Sequence, residues 1–260
     1  MRSAAVAGSF YPGERRALES ALDQMLASAT RRNGRPKALV APHAGYIYSG
    51  PVAASAYAQL RAPLPTRVVL LGPAHFESLR GLALPGAAAF ATPLGEVRVD
   101  AAAVAALSSL SCVVVSPAAH AREHSLEVQL PFLQRLLPAF TLVPLAVGHA
   151  KSEDVAAVLD TLWGGEETLV VISTDLSHYL PYEFAQKVDK ATARSILSLH
   201  PAIAPEQACG CGGLLGLLEV ARRRDLSVVQ LDLRNSGDTA GDPSRVVGYG
   251  AFAFYEEVEG

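Results

Sequence analysis

Charge is scarce in this 260-residue chain: 18% of residues carry it, 22 Lys and Arg against 25 Asp and Glu, for a net charge of −3. That balance gives nucleic acid no electrostatic footing. The basic runs Arg31-Arg32 and Arg222-Arg223-Arg224 are short and read as solvated loop faces or helix ends. Cysteine is scarcer still. Three thiols, an odd number, do not make a disulfide framework and suit a reducing cytoplasm. The segment Met1 to Gly8 has too short an apolar core for a secretory signal. The long uncharged run from Ala101 to Ala121 is interrupted by Ser108, Ser109, Ser111, Ser116, Pro117 and His120, so no membrane span is expected. A helix from Asp100 to about Leu110 and a strand from Cys112 to Val115 account for it better.

Several motifs are missing too. Gly210, Gly212 and Gly216 miss the dinucleotide-binding spacing by one residue and follow no strand, and there is neither a phosphate-loop lysine pattern nor a Gly-x-Ser-x-Gly elbow. Nucleotide enzymes and serine hydrolases are therefore disfavoured. Asn235 to Asp242 has a calcium-loop composition without the closing glutamate and reads as a long turn between strands. No repeat of solenoid length is visible.

What the chain does have is apolar strands that end in histidine. Ala38 to Ala41 stops at Pro42 and delivers His43; Val68 to Leu71 leads through Gly72-Pro73 to His75; Leu169 to Ile172 leads through Asp175 to His178. Strands apolar on both faces suit a buried parallel sheet, and open α/β sheets bind ligands beyond the carboxyl ends of their strands. Three imidazoles are thus expected on one edge.

With 50% hydrophobic residues and no linker or shift of composition, the chain is expected to form one α/β domain over residues 1–260, a mainly parallel sheet flanked by helices. Leu18, Leu22 and Leu26 mark one face of a surface helix from Glu14 to about Ala29. A small-residue helix is expected from Pro51 to Leu60, with Pro51 in its first turn, and another from Ser152 to Trp163, capped by Ser152. Gly81 to Leu84 and Val97 to Val99 suggest a hairpin at the sheet edge. Pro131 requires that the pattern from Leu126 to Leu137 either kink or restart there. Helices at about Pro181 to Leu199 and Cys211 to Arg224, then strands through Val229, Leu231 and Leu233 and from Val246 to Tyr255, complete the alternation.

Two histidines and one anionic side chain form a facial set that leaves coordination positions open, as non-haem iron(II) and related divalent metals require. His43 and His75, on loops stiffened by proline and glycine, are the first two candidates; Glu123, Asp175 and Cys209 compete for the third place. Cys209 precedes a helix, where a thiolate would have a lowered pKa. Asp175 and His178 are candidates for proton transfer, His178 as acid and base, although a Ser-Thr-Asp-Leu-Ser string before a helix is also ordinary capping chemistry. Glu123, His124, Tyr46 and Cys211 are further pocket candidates, and His120, His149 and His200 are assigned to surface or structure.

Seven ordered motifs carry a resemblance: Ala7-Gly8-Ser9-Phe10-Tyr11-Pro12, Pro42-His43-Ala44-Gly45-Tyr46-Ile47-Tyr48-Ser49-Gly50, Gly72-Pro73-Ala74-His75, Glu123-His124-Ser125-Leu126-Glu127-Val128-Gln129-Leu130-Pro131, Asp175-Leu176-Ser177-His178, Ala208-Cys209-Gly210 and Asn235-Ser236-Gly237-Asp238. From about residue 2 to 255 the chain resembles the Memo family, whose prokaryotic members are called AmmeMemoRadiSam system protein B. The resemblance implies the fold of the class III extradiol dioxygenases, non-haem iron enzymes. It makes His43, His75 and Cys209 the metal ligands, the cysteine standing where the dioxygenases have a glutamate, and His178 the acid/base residue. A thiolate in that place makes iron(II), copper and zinc all plausible, iron(II) first, and puts ring cleavage in doubt. Cys211 is an extra thiol that could compete as ligand or form a redox pair. The implied function is a metal-dependent oxidoreductase of unknown substrate. The alternative is a binding or scaffold protein using the old pocket for a peptide, a small ligand or a partner. The family name points to Ammecr-type and radical-SAM protein partners.

Overall fold

A computed structural model describes residues 1–256. In chain order the elements are α1 (Arg15–Ser28), β1 (Ala38–Ala41), α2 (Tyr46–Tyr57), β2 (Arg67–Pro73), β3 (Leu82–Leu84), β4 (Ala89–Thr92), β5 (Gly95–Arg98), α3 (Ala101–Ala106), β6 (Val113–Val115), α4 (Pro117–Ala121), α5 (Leu130–Leu136), β7 (Thr141–Val147), α6 (Ser152–Leu162), β8 (Thr168–Ser173), β9 (His178–Leu180), α7 (Tyr182–Leu197), α8 (Cys211–Arg223), β10 (Ser227–Asn235) and β11 (Val246–Tyr255). The sheet runs β10-β11-β1-β8-β2-β7-β3-β6, with β9 paired to β11.

Its centre, β1-β8-β2-β7, is parallel, with Ala41 beside Ser173 and Pro73 beside Val147, so these strands finish along one edge. The strands that were apolar on both faces are buried throughout, as a sheet covered on both sides demands. One core layer joins Leu18 and Leu22 of α1 to Val52 and Tyr57 of α2; the other joins Val155 and Leu159 of α6 to Leu214 and Leu217 of α8. Antiparallel pairs, β11 on β1 and β3 on β7, flank the parallel centre.

Several local expectations give way to tertiary contacts. Helix α2 begins at Tyr46, because the Tyr46 N–H donates to the Phe10 carbonyl at 2.7 Å, and Pro51 lies inside the helix instead of in its first turn. Ser152 is the first helical residue of α6 and caps nothing; the N-cap position falls on Lys151. The edge hairpin is β4 with β5, whereas Leu82–Leu84 joins the main sheet between β7 and β6. At Pro131 the chain restarts: a tight turn over Glu127–Gln129 gives way to α5, with the proline in its first turn where no amide is needed. After Asp175 the chain forms β9 rather than entering a helix directly. No helix among the described residues is long and apolar enough to cross a membrane.

Candidate metal centre

His43 lies just past β1 and His75 just past β2, on the shared edge. His124 comes from the segment between α4 and the Glu127–Gln129 turn. The coordinating atoms of His43, His75 and His124 all lie within 4.8 Å of one another, so these three could hold a metal ion. Their rings meet edge to face between His43 and His75 at 5.2 Å and stack between His75 and His124 at 4.8 Å. Sequence reasoning placed His124 only in the pocket. Its place in the cluster depends on a turn that carries no periodic signal.

Hydrogen bonds orient two of the rings. The Ser173 hydroxyl donates to the Ser125 carbonyl at 2.6 Å and accepts from Gln129 Nε2 at 2.7 Å. Its one proton is thus committed, so the 2.9 Å contact with His43 Nδ1 is donated by the ring and His43 Nε2 keeps its lone pair. Gln129 is itself fixed, accepting from the Tyr57 hydroxyl and donating to the Pro42 carbonyl. Glu123 accepts from both the ring Nδ1 and the backbone N–H of His75, leaving His75 Nε2 outward. Burial works to raise the Glu123 pKa, but the donors from His75 and Ser125 outweigh it and bring it to about 2. Glu123 therefore orients a ring rather than filling the third ligand place that sequence reasoning left open to it.

Burial first, and then the neighbouring His75 and His124, hold His43 well below the usual histidine range. His124 is lowered mainly by burial as well. Both lone pairs are therefore available near neutral pH.

Cys209 approaches His43 from the loop before α8, but among the described residues only the three histidines, and not Cys209, bring their coordinating atoms within 4.8 Å of one another. Its Sγ lies 3.3 Å from His43 Nε2 and accepts the Asp175 N–H at 3.3 Å. Gly210 makes this approach possible: a Cβ there would stand 2.6 Å from the Ser173 carbonyl and 2.7 Å from Thr174 Cβ. The expected lowering of the thiol pKa does not hold. Helix α8 begins only at Cys211, and burial, followed by the Asp175 charge, pushes Cys209 up to about 12.

Asp175 accepts the His43 backbone N–H at 2.7 Å, and burial raises its pKa against that bond. His178 is held by β11: Gly248 accepts from Leu176 and donates to Ser177. A cavity of about 640 Å³ brings His178 and Asp175 together with the three clustered histidines. Arg245 lies on its wall, with its guanidinium 5.1 Å from the Tyr179 ring. A second cavity of about 660 Å³ shares His75 and holds Cys209 and Cys211, so Cys211 belongs to the far side of the centre. Tyr46 is no pocket residue. Its hydroxyl donates to the Val128 carbonyl at 2.6 Å and its ring packs on Phe132, while Tyr48 lines the cavity. His120 is buried and structural; His149 and His200 are exposed.

One segment braces the whole centre. Besides Glu123 and Gln129, it supplies Glu127, fully buried, which pairs with Arg2 and accepts from Ala5 N–H, Val6 N–H and the Tyr11 hydroxyl. That draws the N-terminal stretch across the site, and Phe10 packs 4.7 Å from His124. The family profile described as Memo-like protein matches residues 2–253. The chain belongs to the Memo family. A MEMO1 family protein of Aquifex aeolicus is 34% identical over 96% of this chain and 97% of its own length. One from Methanopyrus kandleri is 36% identical over 97% and 98%. Among solved structures, an uncharacterized protein of Escherichia coli K12 is 16% identical, with a TM-score of 0.49, over 82% of this chain and 98% of its own.

Proposed function

We propose that this Memo-family protein binds a divalent metal ion through His43 and His75, completed by Cys209 or His124, and uses it as a dioxygenase-like oxidoreductase on a small organic substrate. The observation that carries the reading is the pair of fixed tautomers: Ser173 and Glu123 each accept a hydrogen bond from an Nδ1–H, which leaves the Nε2 lone pairs of two clustered histidines free to coordinate. Such outer partners are what ligand histidines characteristically have. A divalent ion there, iron(II) being the first choice, would supply Lewis acidity and one-electron chemistry. It would also reverse the electrostatics at Cys209, since a coordinating thiol gives up its proton. The protein's own part is positioning and proton transfer. His178 faces the same cavity as the histidines and serves as acid and base, Asp175 holds the His43 backbone, and Phe10 and Tyr48 line the cavity.

Metal analysis of protein purified without a tag tests the site. His43→Ala is expected to lose the metal. Loss in Cys209→Ser with retention in His124→Ala identifies the sulfur as third ligand, and the reverse identifies the imidazole. If none of the three lowers bound metal, the site is wrong. The second reading, a pocket kept for binding alone, is favoured by the apolar side chains beside the histidines: Phe76, 46% exposed, follows His75, and Tyr179, 62% exposed, follows His178. Oxygen uptake by the iron-loaded protein with catechol-type compounds separates the two. Its absence across a panel supports binding.

A further inference from the structure

At the opposite edge of the sheet from the histidines lies a larger cavity, about 880 Å³, between the start of β1, the start of β8 and the end of β11. That size suits a small organic ligand. Its wall gathers cations in a chain that is acidic overall: Arg31, Arg32, Arg35, Lys37 and Arg61, against Glu166 and Glu256.

The acids are already engaged. Glu166 pairs with Arg35 at 2.9 Å and Glu256 accepts the Trp163 indole N–H at 2.8 Å. Lys37 is committed as well, its ammonium bound to the Trp163, Gly165 and Thr168 carbonyls, so it contributes charge to the wall but no free donor. Among the described residues, Arg31, Arg32 and Arg61 have no carboxylate partner. The Tyr255 hydroxyl, buried in the same wall, has no hydrogen-bond partner among them either. An orphaned buried hydroxyl is uncommon and costs free energy. Burial raises the pKa of this phenol, and Arg32 and Arg61 act against that rise, so both guanidinium groups bear on the hydroxyl.

Arg31 and Arg32 are exposed, as the sequence suggests, but the backbone of the loop that carries them is held in place. Gln59, 1% exposed, donates to the Thr30 carbonyl at 2.8 Å and accepts the Arg32 N–H at 2.8 Å. Gly34, at φ +105°, lies so close to the Tyr255 ring that a Cβ would come within 3.0 Å of it. Like charges gathered on one wall with no carboxylate partner among the described residues repel one another, and an anion relieves that repulsion. We propose that this cavity binds a small organic phosphate, its phosphoryl group taken by Arg31, Arg32, Arg61 and the Tyr255 hydroxyl and its organic part resting on Leu60 and Val229. The site is separate from the histidine centre and does not depend on a metal.

AMP is the probe, with inorganic phosphate and adenosine as controls, read by thermal unfolding and titration calorimetry on the full chain. AMP raises Tm saturably by mass action, beyond sodium chloride of equal ionic strength, and adenosine does not. The double variant Arg32→Gln/Arg61→Gln weakens AMP binding by at least about tenfold, and Tyr255→Phe by about tenfold, as expected for lost bonds to a charged group. Inorganic phosphate binds more weakly than AMP. The proposal is overturned if AMP gives no shift beyond the salt control or if the double variant binds it unchanged. It is equally overturned if phosphate binds while AMP is excluded, or if an oligoribonucleotide binds through these arginines and AMP does not.

Discussion

Glu123 grips His75 twice, accepting its backbone N–H at 2.6 Å through one carboxylate oxygen and its ring Nδ1 at 2.9 Å through the other. A carboxylate held this way fixes both the rotamer and the tautomer of the ring. It also aims the outward nitrogen at the cluster. Glu123→Gln keeps the shape but offers one accepting oxygen and an amide that has its own protons to place. Metal affinity, measured by competition with a chelator, should fall about 10- to 100-fold while the unfolding midpoint moves little. Unchanged affinity would mean that His75 is not a ligand.

Glu127 performs a different task a few residues on. With no exposure, it satisfies Arg2, the Tyr11 hydroxyl and two backbone N–H groups of the N-terminal stretch. Glu127→Ala leaves the Arg2 guanidinium, itself almost fully buried, without its counter-charge. Urea unfolding should show a loss of about 3–5 kcal/mol, the usual cost of stranding one member of a buried pair. Phe10 would lose its purchase on His124 as well, so metal content is expected to drop in the same variant. A loss below about 1 kcal/mol, typical of exposed pairs, would show that Arg2 reaches water once its partner is gone.

The positions of His43 and His75 were legible because apolar runs predict parallel strands, and parallel strands predict a shared edge. The brace from Glu123 to Gln129 was not, though its residues stand in plain view. Leu126, Val128 and Leu130 alternate with Glu127 and Gln129, a pattern that fits neither a helix face nor a one-sided strand, because both sets are buried. The partners of the polar set, Arg2 and Tyr11 for Glu127 and Pro42 for Gln129, lie far away in sequence. Nothing local announces them. Tyr46 misled for the converse reason: it sits beside the His43 loop in sequence, yet the first turn of α2 directs its ring into the core.

Gly210 governs the approach of Cys209 to His43. Alanine there would press its methyl on the end of β8, at 2.6 Å from the Ser173 carbonyl and 2.7 Å from Thr174 Cβ, and backbone cannot yield as a flexible side chain does. The cost expected for Gly210→Ala is about 1–3 kcal/mol in stability, as for other overpacked sites. If Cys209 is the third ligand, metal retention falls along with it. Loss of stability with full metal content would point to His124 instead.

His120 provides a test at acid pH, away from the metal cluster. Its Nε2 contacts the Ala83 carbonyl at 2.8 Å and therefore carries the proton, while the buried Nδ1 has no partner among the described residues. Protonating Nδ1 would put a charge into a buried site beside the Arg2 guanidinium. Burial accordingly lowers the pKa from the usual 6.5 to about 4. Above 6.5 both folded and unfolded chains hold His120 neutral and stability does not depend on it. Between 6.5 and 4 the unfolded chain binds the proton more readily, so stability falls as pH falls across that window. The whole span is on the order of 3 kcal/mol. His120→Gln retains a donor for the Ala83 carbonyl but no titrating group. Urea midpoints across this range should therefore decline less steeply in the variant than in the parent chain, and parallel declines would mean that the proton reaches His120 without penalty in the folded protein.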